Sequence, residues 1–202
     1  MHFKKSEWFV IGFNLIYLLI LGAYHVFVKN YEFLIYIAVL LIFGVIIIST
    51  LKVSRLDLLA LWLLSIWGFL HLFAGSPFLP DGKTIYSLRL LPIFDGGGQF
   101  YILKMDQLIH FYGFFVAALV VYELLATRVK NNVSKGLLIF IAWIGGMGLG
   151  ALNEVIEFIA FISLQHTGVG DVYNTGLDLI FNLLGALVGA FFASWWMGRK
   201  RL

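Results

Sequence analysis

Six apolar runs separated by short polar breaks follow one another along the chain, at about residues 8–28, 33–50, 56–73, 106–126, 136–162 and 174–197. Each is near the length of roughly 20 residues that a helix needs to cross the hydrocarbon core of a bilayer. The pattern predicts an all-α polytopic membrane protein. Six transmembrane helices would form one domain over residues 1–202. The run at 136–162 is long enough to tilt. The longest connection, 75–105, holds all three prolines (Pro77, Pro80 and Pro92) and the glycines at 96–98. Its amphipathic stretch 86–94, which carries Arg89, reads either as an ordinary long loop or as an interfacial lid over the site, hinged at 96–98.

Composition agrees. Hydrophobic residues make up 61% of the chain, charged residues 12%, and mean hydropathy is +0.96. A soluble domain carries about 25% charged residues. The net charge of +3 is small and the cations cluster at span ends, so no basic stripe points to nucleic acid. Cysteine is absent, which removes disulfides, thiolate metal sites and a cysteine nucleophile. Lys4 and Lys5 precede an apolar run with no small-residue cleavage site, which reads as an uncleaved first span.

Six spans place both termini on one side. With that side cytoplasmic, the inner segments carry Lys4, Lys5, Lys52, Arg55, Arg128, Lys130, Lys135, Arg199, Lys200 and Arg201, and the outer ones carry Lys29, Lys83, Arg89 and Lys104. The excess predicts N-in and C-in, in a cytoplasmic (inner) membrane.

That topology sorts the polar residues. Asp106 and His110 open the fourth span, Glu154 and Glu157 lie in the outer half of the fifth, and Asp178 enters the sixth. All five are expected at similar depth near the outer face. Asp178, Asn182, Gly185 and Gly189 fall within a ~60° arc of one helix face. Gly146, Gly150, Glu154 and Glu157 fall within a ~80° arc of another, with Asn153 beside it. The spacing of Asp106, His110, Gly113 and Ala117 resembles that of the sixth-span set, as a degenerate repeat would. Small residues on such faces let helices approach closely.

A carboxylate in the middle of a membrane costs roughly 2.5–3.5 kcal/mol on insertion scales, so it is expected to face a protein interior and have a partner. Glu154 and Glu157, three residues apart, cannot both ionise in a low dielectric without a cation or a shared proton. His110 is one partner. A divalent metal is another: carboxylates plus one imidazole suit Mn, Fe, Mg or Zn. The candidate ligands are Asp106, His110, Glu154, Glu157 and Asp178. Glu154, Glu157 and His110 are the candidate acid–base groups, and Asn153, Asp171, Asn174 and Asn182 surround them. Asp171 reads equally as a helix N-cap. His25 and His71, at span ends, read as interfacial hydrogen-bonding groups.

On these residues the C-terminal half, about 105–192, resembles the VanZ-like membrane proteins and the YjdF-like predicted inner-membrane proteins of bacteria. The VanZ-like pattern matches Asp106 and His110, Glu154 and Glu157, and Asp178, Asn182, Gly185 and Gly189. The YjdF-like pattern matches Gly170, Asp171, Thr175 and Asp178. Glu157 stands where the VanZ-like pattern usually has Gln, and an Arg it carries before the last span is missing between 163 and 173. The resemblance implies a multi-span bacterial protein of the cell envelope.

Three functions remain open. One is a metal-dependent enzyme acting on a lipid or lipid-linked envelope substrate. Another is a transporter or ligand-binding protein that uses its intramembrane carboxylates. The last is a structural envelope protein whose polar cluster only holds the bundle together.

Overall fold

The structure, a computed structural model, describes residues 3–98, 100–129, 133–164 and 167–200. Six helices carry the chain: α1 (Lys5–Phe27), α2 (Tyr31–Ser54), α3 (Leu58–Ala74), α4 (Met105–Ala126), α5 (Lys135–Ser163) and α6 (Val172–Lys200). Five are long and apolar enough to cross a membrane. The third is shorter than expected. Its 17 residues span about 25 Å, below the ~30 Å of a hydrocarbon core. Asp57 accepts from the Ala60 amide and starts α3, and the helix ends at Gly75, ahead of Pro77.

Polar caps set other helix starts in the same way. The side chain of Asn30 accepts from the Phe33 amide, and Ser134 accepts from Leu137. Such caps are each worth about 1 kcal/mol.

The 75–105 connection contains the one departure from an all-α reading among the described residues. Strands β1 (Arg89–Asp95) and β2 (Tyr101–Lys104) pair as an antiparallel hairpin, preceded by 3-10 turns at Pro80–Gly82 and Ile85–Ser87. Gly97 (φ +86°) and Gly98 (φ +56°) form its tip. The Asp95 side chain accepts from the Gly97 amide, and Gly96 N donates to Phe100 O. These glycines turn a hairpin. Left-handed backbone is inexpensive for glycine. Arg89 stays within the hairpin, 3.2 Å from Asp95 and stacked over Tyr101.

The tightest packing is between α4 and α6, at small residues. A Cβ on Gly185 would stand 2.1 Å from Phe111 O, and one on Gly189 would stand 2.1 Å from Phe115 O. Gly146 of α5 fits between Ala118 and Ala186. Below these contacts the core is apolar, with Ala118, Leu119, Ala186, Ala190 and Ala193 all fully buried. Close backbone approach substitutes in a membrane for the hydrophobic force that water would supply.

Candidate functional site

The start of α4 is fastened to the hairpin. Gln107, fully buried, accepts from the amides of Leu103 (2.7 Å) and Lys104 (3.0 Å) and donates to Tyr101 O (2.9 Å). Leu103 itself has φ +82°, a strained value for a branched side chain. This junction directs Asp106 and His110 toward α5 and α6.

His110 is the centre of the cluster. Its Nδ1 lies 3.0 Å from Asn182 Oδ1 and 3.5 Å from Glu154 Oε1. Its Nε2 lies 3.5 Å from Asp106 Oδ1 and 3.7 Å from Glu157 Oε1. Asn182 Nδ2 donates to Glu154 Oε1 at 3.3 Å. A carboxylate only accepts, so the Asn182 amide nitrogen must face Glu154 and its oxygen must face the imidazole. The oxygen therefore accepts from Nδ1–H, which leaves Nε2, as a lone pair or as N–H, directed at Asp106 and Glu157. With Nε2 unprotonated, that is the arrangement of a metal-bound histidine, oriented through its other nitrogen.

The distances on the Nε2 side support the same reading. They exceed a direct hydrogen bond. Two ligand atoms held ~2.1 Å from one ion stand about 3.0–3.5 Å apart. Asp106, His110 and Asp178 offer ligand atoms within 4.8 Å of one another, and so do His110, Glu154 and Glu157. These buried groups can hold a metal.

The asparagines serve the carboxylates. Asn174 Nδ2 faces Asp178 Oδ2 (2.6 Å), Asp106 Oδ2 (3.1 Å) and Val169 O (3.2 Å), and its oxygen accepts from Lys104 Nζ. Asn153 donates to Glu157 Oε1 at 2.7 Å. Two carboxylate oxygens, Glu154 Oε2 and Asp178 Oδ1, are buried without a hydrogen-bond partner. Each such atom carries a desolvation cost of about 1–3 kcal/mol or more unless a proton or cation meets it.

Sequence reasoning missed a second wall. A cavity of about 40 Å³ lies against Asp106, Glu157 and Asn174 and is closed on the far side by Glu32, Tyr36, His71 and Tyr86. A space of that size holds a water or a small reacting group. Glu32 accepts from Gly168 N (2.7 Å) and from Tyr36 Oη (3.3 Å), which ties the start of α2 to the loop before α6. Tyr86 meets His71 Nδ1. Burial, reinforced by the Asp106 and Glu157 carboxylates, pushes the Tyr86 phenol up, so it keeps its proton. His71, expected at the interface, is buried at the site. Glu32 lies in the short break between the first two apolar runs and Tyr86 in the 75–105 connection, where neither stands out in the sequence. Lys104, counted as an outer-segment cation, is buried. No spacing rule joins residues so far apart in sequence.

Asp171 stands apart. It is exposed, and its Oδ1 accepts from the amides of Tyr173 (3.0 Å) and Asn174 (3.1 Å). It caps α6 and makes no contact with the cluster among these bonds. His25 is fully buried but elsewhere, with Nε2 3.0 Å from Leu72 O and its ring stacked on Phe33. Gly113 packs on Trp67 of α3, whereas Gly185 and Gly189 pack on α4, so the two similar spacings serve different partners.

Compared with known proteins, residues 7–199 match the family described as "Predicted membrane protein (DUF2238)". That match covers nearly the whole chain and names neither of the narrower groups that the C-terminal half resembles. No curated protein and no solved structure matches.

Proposed function

We propose that this chain, which belongs to the predicted membrane protein family DUF2238, is a divalent-metal-dependent enzyme acting on a lipid or lipid-linked substrate. The observation that carries the reading is the orientation of His110. Asn182 fixes its Nδ1–H, and its Nε2 faces Asp106 and Glu157 at 3.5 and 3.7 Å. A ring nitrogen facing two acids calls for a proton or a cation between them, and separations longer than a direct hydrogen bond favour the cation.

Charge supports it. Glu32, Asp106, Glu154, Glu157 and Asp178 gather around one lysine, Lys104, and two imidazoles, His110 and His71. In a low dielectric that set requires either several shared protons or a metal. The donors are oxygen and nitrogen, which suit Mn, Fe, Mg or Zn. Asp106, His110, Glu157 and Asp178 would hold the ion. Such an ion polarises a phosphoryl or acyl oxygen or activates a water. Glu154, whose Oε2 is unpartnered, would take up the proton that attack releases. The Tyr86 phenol and His71 would face the substrate's reacting group across the cavity.

The small cavity admits a headgroup fragment and leaves the body of the substrate in the bilayer. The apolar plug of Ala118, Leu119, Ala186 and Ala190 below the cluster favours surface chemistry over a transport path. With the N-terminus cytoplasmic, as the cation distribution favours, the cluster opens to the outer side of the inner membrane. The resemblance to VanZ-like and YjdF-like proteins supports an envelope role.

Purified protein incubated with a bacterial lipid extract, with and without Mn or Mg, tests the reading by mass spectrometry of the lipids. Metal-dependent loss of one lipid class, abolished by Glu154→Gln, is expected. Metal binding with no lipid turned over would defeat the enzyme assignment.

A further inference from the structure

At the end of the bundle away from the acidic cluster, α1 begins, α2 ends and α3 begins. A cavity of about 300 Å³ opens there. Its floor is apolar. Leu51 is buried in a small core with Val10 and Leu61, and Phe3 and Leu56 pack beside it. Its rim is cationic: Lys4 comes from the start of α1, Lys52 and Arg55 from the end of α2, and all are exposed. None of the three forms a side-chain ion pair among the described residues. Glu7 also lines the cavity, but its carboxylate is turned to the Lys4 amide at 2.7 Å. Three positive charges against one negative leave the rim at net +2.

Arg55 is the unusual member. It is the C-cap of α2 and sits in left-handed backbone, φ +53° and ψ +31°, where glycine or asparagine is the usual residue. Glycine would suit the backbone better, so a side chain is present there at a conformational cost. Non-glycine residues in this region are a signal of function when the surroundings supply a reason. The reason available here is charge placed over the cavity.

An apolar floor under a cationic rim, at the mouth of a gap between membrane helices, is complementary to an anionic amphiphile. We infer that this cavity binds an anionic phospholipid from the leaflet on that side. The phosphate sits among Lys4, Lys52 and Arg55, and the upper acyl chain lies on Phe3, Leu51 and Leu56. The site is independent of the acidic cluster and of the proposed enzymatic role. Guanidinium and ammonium groups both bind phosphate, and the exposed geometry makes the contact salt-sensitive.

The test uses the full-length protein in detergent and reads its thermal midpoint as phosphatidylglycerol, phosphatidylcholine or inorganic phosphate is added. Native mass spectrometry counts retained lipid. Phosphatidylglycerol is expected to raise the midpoint well above the shift that phosphatidylcholine gives. Lys52→Gln and Arg55→Gly should each remove most of that difference. Arg55→Gly should fold at least as stably as the parent without added lipid, because glycine relieves the backbone. Glu7→Gln should strengthen retention several-fold. Equal shifts with the two lipids, a full shift with inorganic phosphate alone, or an undiminished shift in both cation variants would each overturn the inference.

Discussion

Helices α2 and α4 are similar in length, 24 and 22 residues, and α2 is the more hydropathic, yet only 6% of its span is buried against 50% of α4. In water the greasier helix would be the core helix. In a bilayer the lipid takes the greasy surface, and the interior belongs to helices with small and polar residues. Ala118, Gly113, His110 and Gln107 mark α4 as central, whereas Ile42, Val45 and Ile46 mark α2 as a lipid-facing wall. The two ends of α2 are the exceptions: Glu32, Phe33 and Tyr36 are buried beside the acidic cluster, and Leu51 and Ser54 at the other end.

The glycines offer the sharpest way to break that comparison. Gly185→Ala drives a methyl into Phe111 O, so it should cost about 2–3 kcal/mol or more and separate His110 from Asn182. Gly44→Ala in α2 meets nothing within 4 Å and should stabilise the helix by about 0.5–1 kcal/mol. Thermal unfolding in detergent reads both. Equal effects would mean that the two helices are packed alike.

Next in size is the imidazole anchor. Asn182→Ala removes the acceptor that orients His110 and should weaken metal binding by about 10–100-fold, while Asn153→Ala, which frees only one Glu157 bond, should do less. Isothermal titration with Mn separates them. A more modest effect is expected at the loop. Asp171→Ala should cost about 1 kcal/mol through fraying of α6 and leave metal affinity within about two-fold. A collapse of metal binding in that variant would return Asp171 to the site.

The smallest effect concerns pH. The Tyr86 phenol is raised above its ordinary value, so it stays protonated throughout the working range. Tyr86→Phe should lower turnover but keep the same alkaline limb in the rate profile. Loss of that limb would mean that the phenol ionises during turnover.

Much of this was legible in the sequence. The six apolar runs, the helical faces of α5 and α6, and the pairing of His110 with acids all follow from period and spacing. Three things were not. The hairpin formed because residues 89–104 pair with each other, and the stretch 86–94 does not continue as an amphipathic unit. The short α3 follows from its Asp57 cap and from the chain leaving helix before Pro77. The aromatic wall of Tyr36, His71 and Tyr86 is assembled from distant segments by tertiary packing, which no local pattern encodes. Asp171 takes the N-cap role that its sequence position allowed equally with a place beside the cluster.

The central claim is a metal on the Nε2 side of His110. A crystal structure of protein grown with Mn, with anomalous data, tests it directly. The account predicts one strong peak about 2.0–2.3 Å from His110 Nε2, bounded by Asp106 and Glu157 and lost in His110→Ala. A well-ordered site with no peak there, and a hydrogen bond closing between His110 and a carboxylate instead, would contradict it.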